Sequence, residues 1–342
     1  MNEDPDPKNL RAALLAKLNG YRVSALLHAA VSLGVPELLS TAPRTVADMA
    51  CDAGAHEPSL ARILRGLAMI DVVSVDNDGR FRLTAKGQLL RRGVDGSLHS
   101  LALLVGREYM PAWAALPATA RSRQTSFDTV FGMPVWQWRK ENPELNEAFN
   151  EWMLSLSMDI AAAVLGAYDF STIKTLVDVG GGYGTLMAEI LKAYPNIEGT
   201  LFDRAHVIER ACAFLSAEGV MSRCQIVAGD FFENIPPDAD VYVLLRIVHD
   251  WNDERAGVIL SNCRNAMRPA SILLVIECTI ELADPSVVMA DLHMLAVTGG
   301  EERSEAELKA LLCASGFRVK RVLSTDSPYK IFEAVPQCSG GE

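Results

Sequence analysis

The spacing of apolar residues changes character along this chain, and each change marks a change of architecture. From Leu10 to Leu39, "LRAALLAKLNGYRVSALLHAAVSLGVPELL" carries them three and four residues apart, the helical period, and Gly34 and Pro36 punctuate its end. "TVADMACDAGAHEPSLARILRGLAMIDVVSVDNDGRFRLTAKGQLL" follows. It predicts a helix, a glycine-containing turn, and a second helix with apolar positions Leu60, Ile63, Leu64 and Leu67. Two short strands, "DVVSVD" and "RFRLT", are joined by Asn77-Asp78-Gly79, a strong hairpin signal. A helical stretch then runs from about Ser97 to Gly166, broken near "FGMPVW" and "ENPE".

Beyond Thr172 the period shortens. The apolar runs "TLVDVG", "GTLFD", "CQIVAGD", "DVYVLLR" and "SILLVIE" alternate with helical patterns such as "TLMAEILKAYP" and "ERAGVILSNCRNAM". Strand-helix alternation of this kind predicts a parallel sheet covered on both faces. The boundary between the two halves falls near residues 165–172.

Helix-turn-helix followed by a hairpin is a winged-helix pattern, which serves either DNA binding or a structural, dimerising role. Charge separates the two. Arg62 and Arg65 lie on the second helix with Glu57, and 32 Lys and Arg against 43 Asp and Glu leave a net charge of −11. A duplex binder neutralises phosphates with clustered cations, so this balance argues against a nucleic-acid partner. The seven cysteines are odd in number and form no CxxC pair, which argues against a thiolate zinc site or a disulfide framework and for a reducing, cytoplasmic setting. The chain opens with no leader-like segment and has no apolar run of membrane-spanning length. Its 342 residues suit two domains, and "MNEDPDPKN" and "PQCSGGE" read as frayed ends.

The chemistry concentrates in the second half. "LVDVGGGYGT" is a buried strand running into Gly180, Gly181, Gly182 and Gly184, a turn that lets a ligand approach the backbone. A dinucleotide fingerprint would need a further glycine where Thr185 stands, so that match fails. Asp203 ends the next strand, where an acid accepts hydrogen bonds from a ribose diol, and Asp230-Phe231 follows a third, where a carboxylate and an apolar face suit adenine. "RIVHDWNDE" then sets His249 beside Asp250 just past an apolar run. From the residues alone, His249 is open to three readings: core residue, general base or metal ligand.

The glycine turn, Asp203 and Asp230-Phe231, followed in order by "GDFF", "HDWND", "IE" and "GGEERS", resemble the S-adenosylmethionine-dependent small-molecule O-methyltransferases of plant phenylpropanoid and bacterial antibiotic pathways. The resemblance covers roughly residues 15–335. It implies an α/β fold: a Rossmann-like S-adenosylmethionine-binding domain over residues 169–336, with a mostly helical, winged-helix-like dimerisation domain over residues 10–96. Residues 97–168 become a helical linker that also lines the pocket, and the chain a homodimer acting on a small metabolite.

The same resemblance assigns roles. His249 is the general base, flanked and oriented by Glu277 and Glu302. Gly180, Gly182, Asp203, Asp230, Phe231, Arg246 and Ser157 fall to the cofactor, and Met153, Asp250 and Phe149 to the substrate. Many relatives carry Lys four residues before the His; Leu245 stands there, so that contact does not transfer. Arg246 comes next, with reach toward the substrate end and a carboxylate there. His293, in "ADLHMLAVTGG", opens an alternative: His249, Asp250 and His293 form a two-histidine, one-carboxylate set suited to Fe(II) or Zn(II) and to metal-assisted C-methylation of an α-keto acid. A third alternative, of another class, is a winged-helix regulator that senses S-adenosylmethionine.

Overall fold

The computed structural model describes residues 7–122, 124–280 and 284–337. The stretches read as frayed ends lie mostly outside the described residues, as does Cys338. The described residues fall into two compact units, one within Met1–Pro111 and Glu147–Trp152, the other within Ala112–Asn146 and Met153–Glu342. No described helix is long and apolar enough to cross a membrane.

The first unit is built as its spacing predicts. Helices Pro7–Leu18 and Tyr21–Ser32 precede Val46–Asp52 and Glu57–Met69. Thr45 starts the third of these because its side chain accepts from the Asp48 N–H, satisfying a donor that the helix leaves over. In the fourth, Leu60, Leu64 and Leu67 face inward and join Val31, Met49 and Phe81 in one core. Strands β1 (Val73–Val75) and β2 (Phe81–Leu83) pair antiparallel. Their turn is held by the Asp76 carboxylate, which accepts from the N–H groups of Asp78 at 3.0 Å and Arg80 at 2.9 Å, while Gly79 takes the left-handed conformation. The first helix departs from this economy: Leu14 and Leu18 are 61% and 66% exposed in the single chain.

The second unit carries a seven-stranded sheet. The expected parallel strands are β3 (Thr175–Val179), β4 (Glu198–Asp203), β5 (Cys224–Ala228), β6 (Val241–Leu245) and β7 (Ile272–Cys278). Two more were not among the predicted runs: β8 (Phe317–Ser324) and β9 (Tyr329–Pro336), antiparallel to each other, with β9 also antiparallel to β7. The order is β5-β4-β3-β6-β7-β9-β8.

Alternate side chains of the inner strands enter cores on opposite faces. Val241, Val243, Leu274 and Ile276 go to one, Tyr242, Leu244, Leu273 and Val275 to the other. Strand order reverses between β3 and β6, and such a switch point opens a crevice at the carboxyl ends of the strands. The glycine turn leaves β3 there, and "RIVHDW" leaves β6.

One close approach fixes how the hairpin of the first unit meets the short helix Ala85–Gln88. A Cβ at Gly87 would lie 2.0 Å from the Val72 carbonyl oxygen, which is backbone and cannot rotate away. Gly87→Ala is therefore expected to destabilise the protein by about 1–3 kcal/mol, the usual cost of overpacking. A urea unfolding midpoint equal to wild type would show that the contact is looser than this.

Candidate active site

The glycine turn, Asp203, Asp230 and His249 each lie at or just past the carboxyl end of a parallel strand. After β3, Gly180, Gly182 and Gly184 have φ of 73°, 61° and 86°, a conformation costly for any residue with a Cβ. At Gly181 a Cβ would come within 2.5 Å of the Asp178 carboxylate and of Leu201, whereas at Gly182 it would meet nothing, so the turn is closed on its protein side and open on the other. The Gly182 N–H donates to Asp203 Oδ2 at 2.8 Å, tying the end of β4 to the turn.

Asp178 was not singled out in the sequence, although an acid inside an apolar strand just before a glycine turn is a readable signal. It is buried, its Oδ1 has no hydrogen-bond partner among the described residues, and burial together with the neighbouring Asp203 pushes its carboxyl up to about 7. An orphaned buried carboxylate beside an open turn suits a cationic group. Asp203 is raised too, by burial, against the N–H groups of Arg204 and Gly182. Asp230 accepts from Arg204 Nη2 at 2.8 Å and from the Phe232 N–H at 2.9 Å. Phe231 is partly buried and meets Trp251 edge-on, ring centroids 6.1 Å apart. Beside these, a cleft of about 480 Å³ is lined by Arg204, Lys140, Trp136, Asp250 and Trp251 among others.

After β6 the backbone is held from both sides. Arg246 adopts φ of 56° and its N–H reaches the Ile276 carbonyl at 3.0 Å; a single 3₁₀ turn, Val248–Asp250, follows. Glu277 Oε1, on β7, accepts from the N–H groups of Val248 at 2.8 Å and His249 at 3.3 Å. Arg303 takes the other side, donating to the carbonyls of Val248 at 3.2 Å and Trp251 at 2.9 Å and to Asp253 Oδ1 at 2.9 Å. The Glu301 N–H reaches the His249 carbonyl at 2.9 Å. Gly300 allows this approach: a Cβ there would lie 2.0 Å from that same oxygen. Arg303 stood inside the quoted "GGEERS", but its grip on a turn more than 50 residues earlier has no local signature.

His249 is 6% exposed and enclosed by carboxylates. Its Nδ1 lies 2.8 Å from Glu302 Oε1 and 3.8 Å from Glu277 Oε2, and its Nε2 lies 3.9 Å from Asp250 Oδ1. Burial alone would lower the imidazole pKa, but Glu277, Asp250 and Glu302 carry it up to about 9. Burial, with Glu302 nearby, raises Glu277, and burial raises Asp250 against the charges of His249, Arg246 and Arg139.

The predicted metal set does not assemble. Among the described residues, the one group of histidines and acids close enough to share an ion is His249, Glu277 and Glu302, without Asp250 or His293. Two ligands at about 2.1 Å from a tetrahedral metal stand about 3.4 Å apart; the 2.8 Å between His249 and Glu302 is a hydrogen-bond length. His293 is claimed elsewhere. Trp113 Nε1 donates to its Nδ1 at 3.2 Å, and burial with the charges of Arg139, Arg246 and His249 lowers it to about 4, so it is a neutral acceptor. Trp113 lies 180 residues away in sequence, which no periodicity could reveal.

The remaining predicted residues share the helix Pro143–Ala167. Phe149, Met153 and Ser157 recur every four residues and so share one face. Phe149 belongs to the segment Glu147–Trp152 of the first unit, the other two to the second. Met153 Sδ accepts from Arg246 Nη1 at 3.1 Å, which brings Arg246 to this helix.

Residues 113–318 match the O-methyltransferase domain family, and residues 15–93 match the O-methyltransferase dimerisation domain. The chain belongs to the O-methyltransferase family. This methyltransferase is 39% identical to the phenazine O-methyltransferase of Lysobacter antibioticus, over 96% of each chain. It is 42% identical to the mitomycin biosynthesis 6-O-methyltransferase of Streptomyces lavendulae, over 92% of each. Among solved structures, an O-methyltransferase from neocarzinostatin biosynthesis superposes with a TM-score of 0.81 at 30% identity, covering 92% of this chain and 96% of that one. That structure holds S-adenosylmethionine and 2-hydroxy-5-methyl naphthoic acid. The metal-assisted alternative finds no support among these relatives, all named for transfer to oxygen.

The carboxylate cage makes a checkable statement about the methyltransferase without ligand. The His249 imidazole should remain protonated at neutral pH and lose its proton as pH rises through about 9. Glu302→Gln removes the charge that favours the protonated ring while keeping an acceptor for Nδ1, so the midpoint should fall. An NMR titration of the imidazole nitrogens reads this directly; a wild-type midpoint near the ordinary 6.5 would contradict the cage.

Proposed function

We propose that this methyltransferase moves the methyl group of S-adenosylmethionine to a hydroxyl oxygen of a small aromatic metabolite, with His249 as general base. The observation that carries the reading is the Glu302–His249 pair. Because Glu302 accepts from Nδ1, the ring nitrogen left to receive a proton is Nε2 once the ring is neutral; the cage holds the second proton up to about 9, so turnover should rise with pH as that proton is lost. The named substrates of the phenazine and mitomycin enzymes and the bound naphthoic acid support an aromatic acceptor.

The residues fit the cofactor. Gly182 offers open backbone, and each Asp203 oxygen retains a lone pair for ribose hydroxyls beyond its bonds to Gly182 and Arg204. Asp178 provides negative charge for a cationic group, and Asp230 with Phe231 provides the acid and apolar face for adenine. Ser157 is assigned to its methionine end. S-adenosylmethionine, when bound, supplies a methyl carbon made electrophilic by its sulfonium charge. Met153 is assigned to the acceptor, the neutral His249 ring takes the hydroxyl proton at Nε2, and Glu277 and Glu302 hold the ring while that charge develops. Asp250, 3.9 Å from the same nitrogen, is assigned to the substrate.

The winged-helix pattern is assigned to assembly. The exposed Leu10, Leu14, Leu15 and Leu18 of the first helix form the apolar surface that a second copy covers. Residues 10–96 thus serve dimerisation, 97–168 the pocket and 169–336 catalysis. The proposed setting is the cytoplasm, where exposed thiols such as Cys51, Cys212 and Cys313 stay reduced.

Two experiments test this reading. Transfer of label from S-adenosylmethionine to hydroxyaromatic acceptors should fall by roughly 10²–10⁴ in His249→Ala, the usual contribution of a general base. Calorimetric affinity for S-adenosylmethionine should persist. Full activity in that variant would remove His249 from the chemistry. Light scattering should report a dimer that Leu14→Glu with Leu18→Glu converts to monomer; a dimer that survives both changes would place the interface elsewhere.

A further inference from the structure

Arg246 takes no part in moving the proton, yet it is the site residue with the least ordinary backbone. Its φ of 56° lies in the left-handed region, where a side chain beyond Cβ is disfavoured, and the bond from its N–H to the Ile276 carbonyl holds it there. That conformation turns the guanidinium to Met153, whose sulfur accepts from Nη1 at 3.1 Å. Nε is buried and has no acceptor among the described residues. A guanidinium has five N–H donors in a planar fork, and a thioether is a weak acceptor. A buried Nε–H without an acceptor costs free energy unless a ligand completes it.

The surroundings say what would complete it. The Arg246 charge acts on Asp250, on His293 and on Tyr329. Asp250 stands 3.9 Å from His249 Nε2, so the guanidinium belongs to the region where the acceptor hydroxyl must lie. His293 is neutral and the Asp250 carboxylate makes no hydrogen bond to Arg246 among the described residues. A planar donor fork of fixed charge matches a carboxylate best, two N–H groups to two oxygens.

We propose that Arg246 is a specificity-determining substrate residue, and that the aromatic acceptor carries a carboxylate for it besides the hydroxyl that is methylated. This rests on the hydroxyl-methylation reading above. Arg246 thereby leaves the cofactor set in which the sequence placed it. The fork fixes the ring by its carboxylate, and the hydroxyl is presented to His249 by that anchoring.

The test compares three acceptors, a hydroxynaphthoic acid, its methyl ester and the parent naphthol, in wild type, Arg246→Met and Arg246→Lys. In Arg246→Met the ratio of kcat/KM for the acid over the naphthol should fall about 10- to 100-fold, mainly through KM, whatever the absolute rates. Arg246→Lys should restore part of that ratio. Calorimetric binding of the acid to the protein, measured without turnover, should weaken in parallel. Equal losses on acid and naphthol would overturn the proposal, as would equal losses on acid and ester, which would mean recognition of a neutral carbonyl. If wild type methylates none of the three, the hydroxyl reading fails by itself, and unchanged acid binding in Arg246→Met would then overturn the Arg246 assignment separately.

Discussion

The hydrogen bond between Glu302 and His249 is the interaction on which the catalytic unit depends. It sets one imidazole among three buried or half-buried carboxylates, and an ionised carboxylate taken out of water costs several kcal/mol unless something compensates it. Compensation comes from a shared proton and from backbone donors. The segment bearing Glu302 must therefore lie hard against the turn bearing His249. Gly300 makes that possible sterically, and Arg303 secures it by holding two carbonyls of the turn. The pair "GG" and the pair "ER" in "GGEERS" are two halves of one requirement, closeness and then grip.

The sheet explains why these groups meet at all. Parallel strands bring their carboxyl ends to one edge, and the reversal of order between β3 and β6 leaves a gap there that no crossover helix fills. Glycine turn, ribose-type acid, adenine-type acid and base then arise from four different strand ends without any strand being distorted to supply them. Side chains of strict alternation keep both faces of those strands dry.

What could be read from the sequence followed locality. The central parallel strands β3, β6 and β7 were legible because a strand buried on both faces is apolar almost throughout, and the hairpin because Asn77-Asp78-Gly79 carries its own geometry. β8 was not: "FRVKRVLS" lies at the sheet edge, where Arg318, Lys320 and Arg321 face water, so no apolar run marks it. β9 pairs with strands on either side through register that only the folded sheet defines. At the site, His249, Glu277 and Glu302 were legible through the family motif and do converge. The hold of Arg303 on the turn and the capture of His293 by Trp113 join residues far apart in sequence. That is also why a metal trio looked complete on paper: the spacing of two histidines and an acid says nothing about which neighbour has already taken one of their nitrogens.

Glu277 has a further consequence. One of its oxygens fastens the N–H groups of Val248 and His249, which never titrate, while the other stands 3.8 Å from Nδ1 and responds to the ring's charge. A single side chain thus writes the shape of the turn and the proton affinity of the base in the same ink. Lineages of this enzyme that drift toward a different working pH cannot simply delete that acid, since the deletion would unmake the turn. The route left open is to exchange oxygen for nitrogen on the second arm alone, as an amide does, or to adjust the charges farther out at Asp250 and Arg246.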